Sequence, residues 1–191
     1  MIQLIVGLAN PGNEFTKTRH NVAAWLIEQL VQQEHLSLRL EKKFHGYHVQ
    51  LLSMPCHLLI PTTYMNNSGC SVAALARYYR IEPSHILIVH DDLDFPPGCI
   101  RFKYGGRDGG HKGVKNTIEQ LASCLFWRLR IGIGRPPQRT HTYDYVLEAP
   151  SRVDQKKIRE AIADALSVLP TFIQGHYDTA IQTLHNREMP L

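Results

Sequence analysis

A chain of 191 residues with 43% hydrophobic and 20% charged residues is long enough to bury a core in one domain and too apolar for intrinsic disorder. No apolar run approaches the length that crosses a bilayer, which excludes a helical membrane protein, and the formal net charge of +4 is too small to make charge alone the function. The first residues read as a core strand without a basic leader, so no signal peptide is expected. Four cysteines without paired spacing (Cys56, Cys70, Cys99, Cys124) predict reduced thiols in a cytoplasmic protein.

Taken in order, the chain alternates strand and helix patterns. Ile2, Leu4, Ile5 and Val6 form an almost continuous apolar run, as in a strand buried on both faces. It runs into Gly7, Asn10, Pro11 and Gly12, whose backbone preferences demand a loop at the strand's C-terminal end, the edge where open α/β sheets bind ligands. A helix is predicted over residues 21–34, with Val22, Trp25, Leu26, Leu30 and Val31 toward the core, then strands over 47–52 and 57–60 joined by Ser53-Met54-Pro55. The polar connection Pro61-Thr62-Thr63-Tyr64-Met65-Asn66-Asn67-Ser68-Gly69 leads to a helix ending near Tyr79, with Ser68 expected to cap it. Residues 86–90 read as a strand ending in Asp91-Asp92-Leu93-Asp94, and 100–104 as a strand with Arg101 and Lys103 on one face. A glycine-rich loop over 105–113, expected to gate the site, precedes a helix ending near Leu121. Residues 126–133 read as a strand, 143–147 as a further strand, and the end of the chain as two amphipathic helices broken at Pro170. With no repeat and no linker, the expectation is one α/β domain over residues 1–191.

The charge is segregated. Residues 101–139 hold nine Lys or Arg against Asp108 and Glu119, a balance of +7 that leaves −3 for the rest of the chain. Basic residues straddling glycine-rich loops suit a phosphate-rich partner such as a nucleic acid.

Three strand-to-loop junctions deliver polar groups: Asn10 and His20, then Asn66, then Asp91. If they converge on one sheet edge, amides, an imidazole and a carboxylate share a pocket, and a histidine held by an aspartate is a general base. No G-x-S-x-G elbow supplies a nucleophile, and Cys56 beside His57 is a poor dyad because strand neighbours point to opposite faces. Water is left as the attacking species. Gly7 and Gly12 have P-loop spacing, but Asn13-Glu14 replaces the required Lys-Ser/Thr, and Gly132-Ile133-Gly134 meets Pro137 where a dinucleotide fingerprint needs glycine. His90, Asp91, Asp92, Asp94 and His111 suggest a metal site, which is set aside because adjacent carboxylates at a strand end diverge and no second His-rich element lies nearby in sequence.

In order along the chain, Gly7-Leu8-Ala9-Asn10-Pro11-Gly12, Thr18-Arg19-His20-Asn21, the 61–69 connection, His90-Asp91-Asp92-Leu93-Asp94, Gly109-Gly110-His111 and Arg128-Leu129-Arg130-Ile131-Gly132-Ile133-Gly134 resemble the bacterial peptidyl-tRNA hydrolase family. The resemblance implies cleavage of the ester that joins a peptide to the 3′-terminal ribose of tRNA, by a monomeric cytoplasmic enzyme with no metal or cofactor. It implies a twisted mixed β-sheet sandwiched between α-helices. It makes His20 the base and Asp91 its support, with Asn10 and Asn66 on the peptide main chain and the carbonyl under attack. Met65 lines the same pocket by this resemblance, and equally reads as a core methionine ahead of a helix. Lys103 and Arg130 match the family's basic pair for the tRNA 5′-phosphate, a task suited to ammonium and guanidinium groups.

Two positions depart from the family pattern. Phe15 stands where tyrosine is frequent, losing a hydroxyl from the substrate pocket. Lys112 follows His111 where the family carries a substrate-positioning asparagine. The Lys112 ammonium either approaches His20 and disfavours its protonation or reaches the tRNA backbone, and the second is expected because a solvated lysine avoids burying charge. Two other function classes remain: a non-catalytic RNA-binding protein on the same fold, which has no need of Asn10, His20, Asn66 and Asp91, and a metal-dependent hydrolase.

Overall fold

The computed structural model describes residues 1–136 and 142–187, so that Pro137 and Arg139 of the sequence reading lie outside the described residues. Its strands are β1 (Leu4–Gly7), β2 (Arg39–Glu41), β3 (Gly46–Gln50), β4 (His57–Pro61), β5 (Ile86–Asp92), β6 (Ile100–Tyr104) and β7 (Trp127–Gly132), joined in one sheet in the order β2-β3-β4-β1-β5-β7-β6. β1 is parallel to β4 and β5, and β5 to β7, while β2, β3 and β6 pair antiparallel toward the two edges. The sheet is therefore mixed, as expected. After β1 the chain builds β4 on one side of it and β5 on the other, which opens a crevice at their shared C-terminal ends.

Helices cover both faces. α1 (Val22–Gln33), α5 (Arg152–Ile173) and α6 (Tyr177–Arg187) bury their apolar sides with Ile5, Leu58, Leu87, Val89, Leu129 and Ile131 in one core. α2 (Ser68–Tyr79) and α3 (Lys112–Leu121) close the second core with Leu4, Val6, Leu59, Ile86 and Ile88. Strand residues thus alternate between two buried sides, which is why β1, β4 and β5 read as unbroken apolar runs. The approach of α1 to β1 is close: a Cβ on Gly7 would lie 2.7 Å from the Ala23 carbonyl oxygen.

Three local expectations are corrected. Residues 143–147 are helical, in α4 (Thr142–Leu147), not a strand. A six-residue run carries too little periodicity to separate the two states, and tertiary contacts hold this helix. The Arg19 guanidinium sits 3.8 Å from the Tyr145 ring centroid and donates to the carbonyls of Tyr145 and Glu148 at 3.0 and 3.4 Å, satisfying the end of the helix. α5 also runs straight through Pro170. The lost hydrogen bond is outweighed by burial of Leu169, Phe172 and Ile173 around it, and the chain breaks instead at Gly175, with φ of 96°. Finally, Ser68 caps nothing, because its hydroxyl donates to the Met65 carbonyl, and the buried N–H of Gly69 at the start of α2 is met from α3 by Asn116 Oδ1 at 2.8 Å. The short β2 pairs with β3 where the sequence announced no element.

Candidate active site

The C-terminal ends of β1, β4, β5 and β7 open into a cavity of about 970 Å³. Asn10, Phe15, His20, Met65, Asn66, Asp91 and Lys112 line it, so seven of the residues singled out in the sequence meet at one place. Tyr64, Arg135, Tyr143 and Val146 also line it without having been singled out, as does His111, which the sequence offered only as a candidate metal ligand.

The loop after β1 is fixed by Asn21, whose side-chain amide bridges the backbone of Asn10, accepting from its N–H and donating to its carbonyl, each at 2.9 Å. Asn10 Oδ1 in turn accepts from the Met65 N–H at 2.8 Å, tying the β1 loop to the β4 loop. Asn10 lines the cavity, and its Nδ2 makes no hydrogen bond among the described residues. The Asn66 amide is exposed there and makes no hydrogen bond among the described residues. Met65 is both core and wall: its side chain is 4% exposed, packs in the second core and borders the cavity.

Asp91 organises the polar centre. It is buried, and its Oδ1 accepts from His20 Nδ1 at 2.8 Å and from His111 Nε2 at 2.9 Å. The tautomers follow from the partners. His111 caps α3, with Nδ1 accepting from the N–H groups of Gly113 and Val114 at 3.1 and 3.2 Å, so its proton is on Nε2. With Nδ1–H directed at Asp91, His20 keeps the lone pair of Nε2 for the cavity. Burial pushes the Asp91 carboxyl up, but the charges and hydrogen bonds of His20 and His111 prevail and hold it well below the usual carboxylate range. Burial lowers His20, Asp91 raises it by charge and hydrogen bond, and Lys112 opposes protonation, for a net upward shift.

The objection to a metal site on grounds of sequence distance does not hold, because two histidines from remote segments converge on Asp91. Their ligating atoms and Asp91 Oδ1 lie within 4.8 Å of one another, a donor set of two imidazoles and a carboxylate. Oxygen-to-nitrogen separations of 2.8 and 2.9 Å on the same Oδ1 are those of N–H donors. His90, next to Asp91, turns its Nδ1 onto the Asp91 backbone carbonyl at 2.7 Å, and burial holds its ring neutral.

The basic residues lie beside the cavity on β6 and β7. Register pairs Arg101 with Arg130 and Lys103 with Arg128, so all four share a face. Lys103 is exposed, whereas Arg130 gives its Nε to Asp92 at 2.6 Å and stacks 4.4 Å from the Phe95 ring centroid. Arg128 is buried and takes a structural part, with its guanidinium holding the carbonyls of Gly106 and Arg107 at the base of the glycine loop. Lys112 is exposed at the cavity mouth, near Tyr143. Cys56 is buried away from this edge, and burial pushes its thiol up to about 12, far from reactivity.

A mixed sheet with an aspartate-held histidine, two amides and a basic strip at one edge defines an α/β protein equipped for acid–base chemistry on a phosphate-bearing ligand. Comparison with known proteins names the kind. The peptidyl-tRNA hydrolase family profile matches residues 4–190. A peptidyl-tRNA hydrolase of Coxiella burnetii is 48% identical over 188 residues, 97% of this chain and 98% of its own length, and one of Methylococcus capsulatus is 48% identical over 186 residues, 97% and 100%. The crystal structure of peptidyl-tRNA hydrolase from Acinetobacter baumannii superposes with a TM-score of 0.92 at 40% identity, covering 96% of this chain and 94% of that one. The chain belongs to the peptidyl-tRNA hydrolase family. No helix among the described residues is long and apolar enough to cross a membrane.

Proposed function

We propose that this pocket hydrolyses the ester between a peptide, or an N-acylated amino acid, and the 3′-terminal ribose of tRNA, with water as the nucleophile and His20 as its base. Membership of the family supports the reaction and the substrate. The mechanism rests on one observation: Asp91 Oδ1 accepts from both imidazoles, which fixes His20 with Nε2 toward the cavity. Nε2 removes a proton from water as its oxygen attacks the ester carbonyl carbon. The protonated ring, stabilised by Asp91, then returns that proton to the departing ribose oxygen, giving a peptide carboxylic acid and a free tRNA hydroxyl. The Asn10 Nδ2 and the Asn66 amide hold the peptide main chain and the reacting carbonyl, and Phe15 and Met65 supply the apolar wall. Lys103 and the guanidinium of Arg130 bind the 5′-phosphate of tRNA. No metal takes part, and the protein works as a monomer in the cytoplasm.

The experiment is incubation with an N-acyl-aminoacyl-tRNA, following release of the acyl amino acid with and without EDTA. The wild-type chain cleaves the ester in both conditions. His20→Ala lowers the rate by roughly two to four orders of magnitude, while tRNA binding persists. A variant that keeps most of its activity would remove His20 from the mechanism, and loss of wild-type activity with EDTA would restore the metal reading.

A further inference from the structure

Lys112 is the first residue of α3 and lines the cavity mouth. Its Nζ lies 5.5 Å from the centroid of Tyr143, a residue of α4 on the facing wall, 67% exposed. That separation is within the reach of a cation–π contact, about 6 Å. The ammonium makes no hydrogen bond or ion pair among the described residues, although four aspartates border the same cavity. Each of the four has a partner elsewhere: Asp91 holds the two imidazoles, Asp92 holds Arg130, Asp94 holds Arg135, and Asp108 accepts from the Gly110 N–H. Lys112 also stands at the N-terminal end of α3, where the helix dipole disfavours a cation. Its charge reaches His20, where it opposes protonation, so the side chain bears on the reacting end of the pocket. A cation at a helix N-terminus with a ring face as its seat among the described residues is provisioned for an anion.

We propose that Lys112 binds the phosphodiester that joins the terminal nucleotide of the substrate to the one before it, and that the Tyr143 ring is the seat the ammonium leaves when that phosphate arrives. This deepens the reading of the pocket as a peptidyl-tRNA site and rests on it. The choice of phosphate follows from substrate chemistry. A peptide esterified through its C-terminus carries no carboxylate at the reacting end, and acidic side chains vary from peptide to peptide. The one fixed anion next to the reacting ribose is the 5′-phosphate of its own nucleotide. Lys103 and Arg130 stand on β6 and β7 whereas Lys112 opens α3, and the proposal gives the two cation groups different phosphates.

The test is titration of the intact protein with the dinucleotide cytidylyl-(3′→5′)-adenosine, with adenosine as the uncharged control. Lys112→Asn weakens dinucleotide binding about threefold to tenfold, as loss of one solvent-accessible charged contact does, and leaves adenosine unchanged. Lys112→Arg restores binding. Tyr143→Leu leaves the dinucleotide affinity unchanged or tightens it, since the ammonium is released from its seat. Equal loss for dinucleotide and adenosine in Lys112→Asn, or no loss for either, overturns the phosphate contact. Weaker adenosine binding in Tyr143→Leu makes the ring a base platform and overturns its role as a seat. Failure of the wild-type chain to cleave an N-acyl-aminoacyl-tRNA would instead strike at the reading of the pocket itself, so the two failures are distinct.

Discussion

Two pairs of imidazoles lie at opposite ends of the sheet, and they behave in opposite ways. At the C-terminal edge, His20 and His111 meet on the carboxylate of Asp91. At the other end, on β3 and β4, His48 Nε2 and His57 Nδ1 bond to each other at 3.0 Å, and the His57 ring stacks 4.0 Å from that of Tyr79. Burial acts on both in the same direction, yet His20 is raised, while His57 is lowered to about 4 by burial and by the charge of His48. His48 is also lowered, by burial first, with Glu41 opposing and Lys43 assisting. A shared proton between two rings makes neither of them a base. A carboxylate between two rings makes one of them a base and leaves the other as its prop.

The strongest way to break this contrast is Asp91→Asn, which keeps the shape and removes the charge. Hydrolysis should fall by about 10²- to 10⁴-fold. The acid limb of the pH–kcat/KM profile should move to lower pH, because burial without Asp91 lowers His20 below its ordinary value of 6.5. An acid limb that stays in place would show that Asp91 does not set the base. A smaller effect is expected at the prop. His111→Phe removes one hydrogen bond to a charged group, about 1.5–3 kcal/mol, or roughly tenfold to a hundredfold in kcat, and His111→Gln, which retains a donor, should recover part of it. Equal losses in the two variants would mean that the ring, not its N–H, matters.

The smallest effect lies at the far pair and is one of stability. His57 has its folded value depressed from 6.5 to about 4. Its contribution is therefore intact above pH 6.5 and drains away as the pH falls toward 4, where the unfolded chain takes up a proton that the folded one refuses. Urea midpoints at pH 7 and pH 5 should differ for the wild type, and the difference should shrink in His57→Asn. An unchanged difference would place the acid sensitivity elsewhere.

Much of the site was legible because the first strand's composition gives its direction and burial, and loops at the C-terminal ends of such strands collect polar residues. Asn10, His20, Asn66 and Asp91 come together on that argument. His111 stayed outside it, since its part depends on which atom accepts from the start of α3, a matter of tertiary placement that a Gly-Gly-His string leaves open. The engagement of Arg130 by Asp92 was invisible for the same reason, and it means that removing Arg130 also strands a carboxylate. The local misreadings at residues 143–147 and at Pro170 share a cause: contacts from distant residues outweighed weak local preference.

Arg19, which anchors the end of α4, is the chain neighbour of His20. Through its guanidinium and through its own backbone N–H on the Glu148 carbonyl at 3.0 Å, it ties the base's peptide segment to the wall that carries Tyr143 and Val146. Moving that wall outward would have to break these contacts or pull on the segment that carries His20. The contacts that close the pocket at α4 and those that place the base's segment thus run through one residue, Arg19.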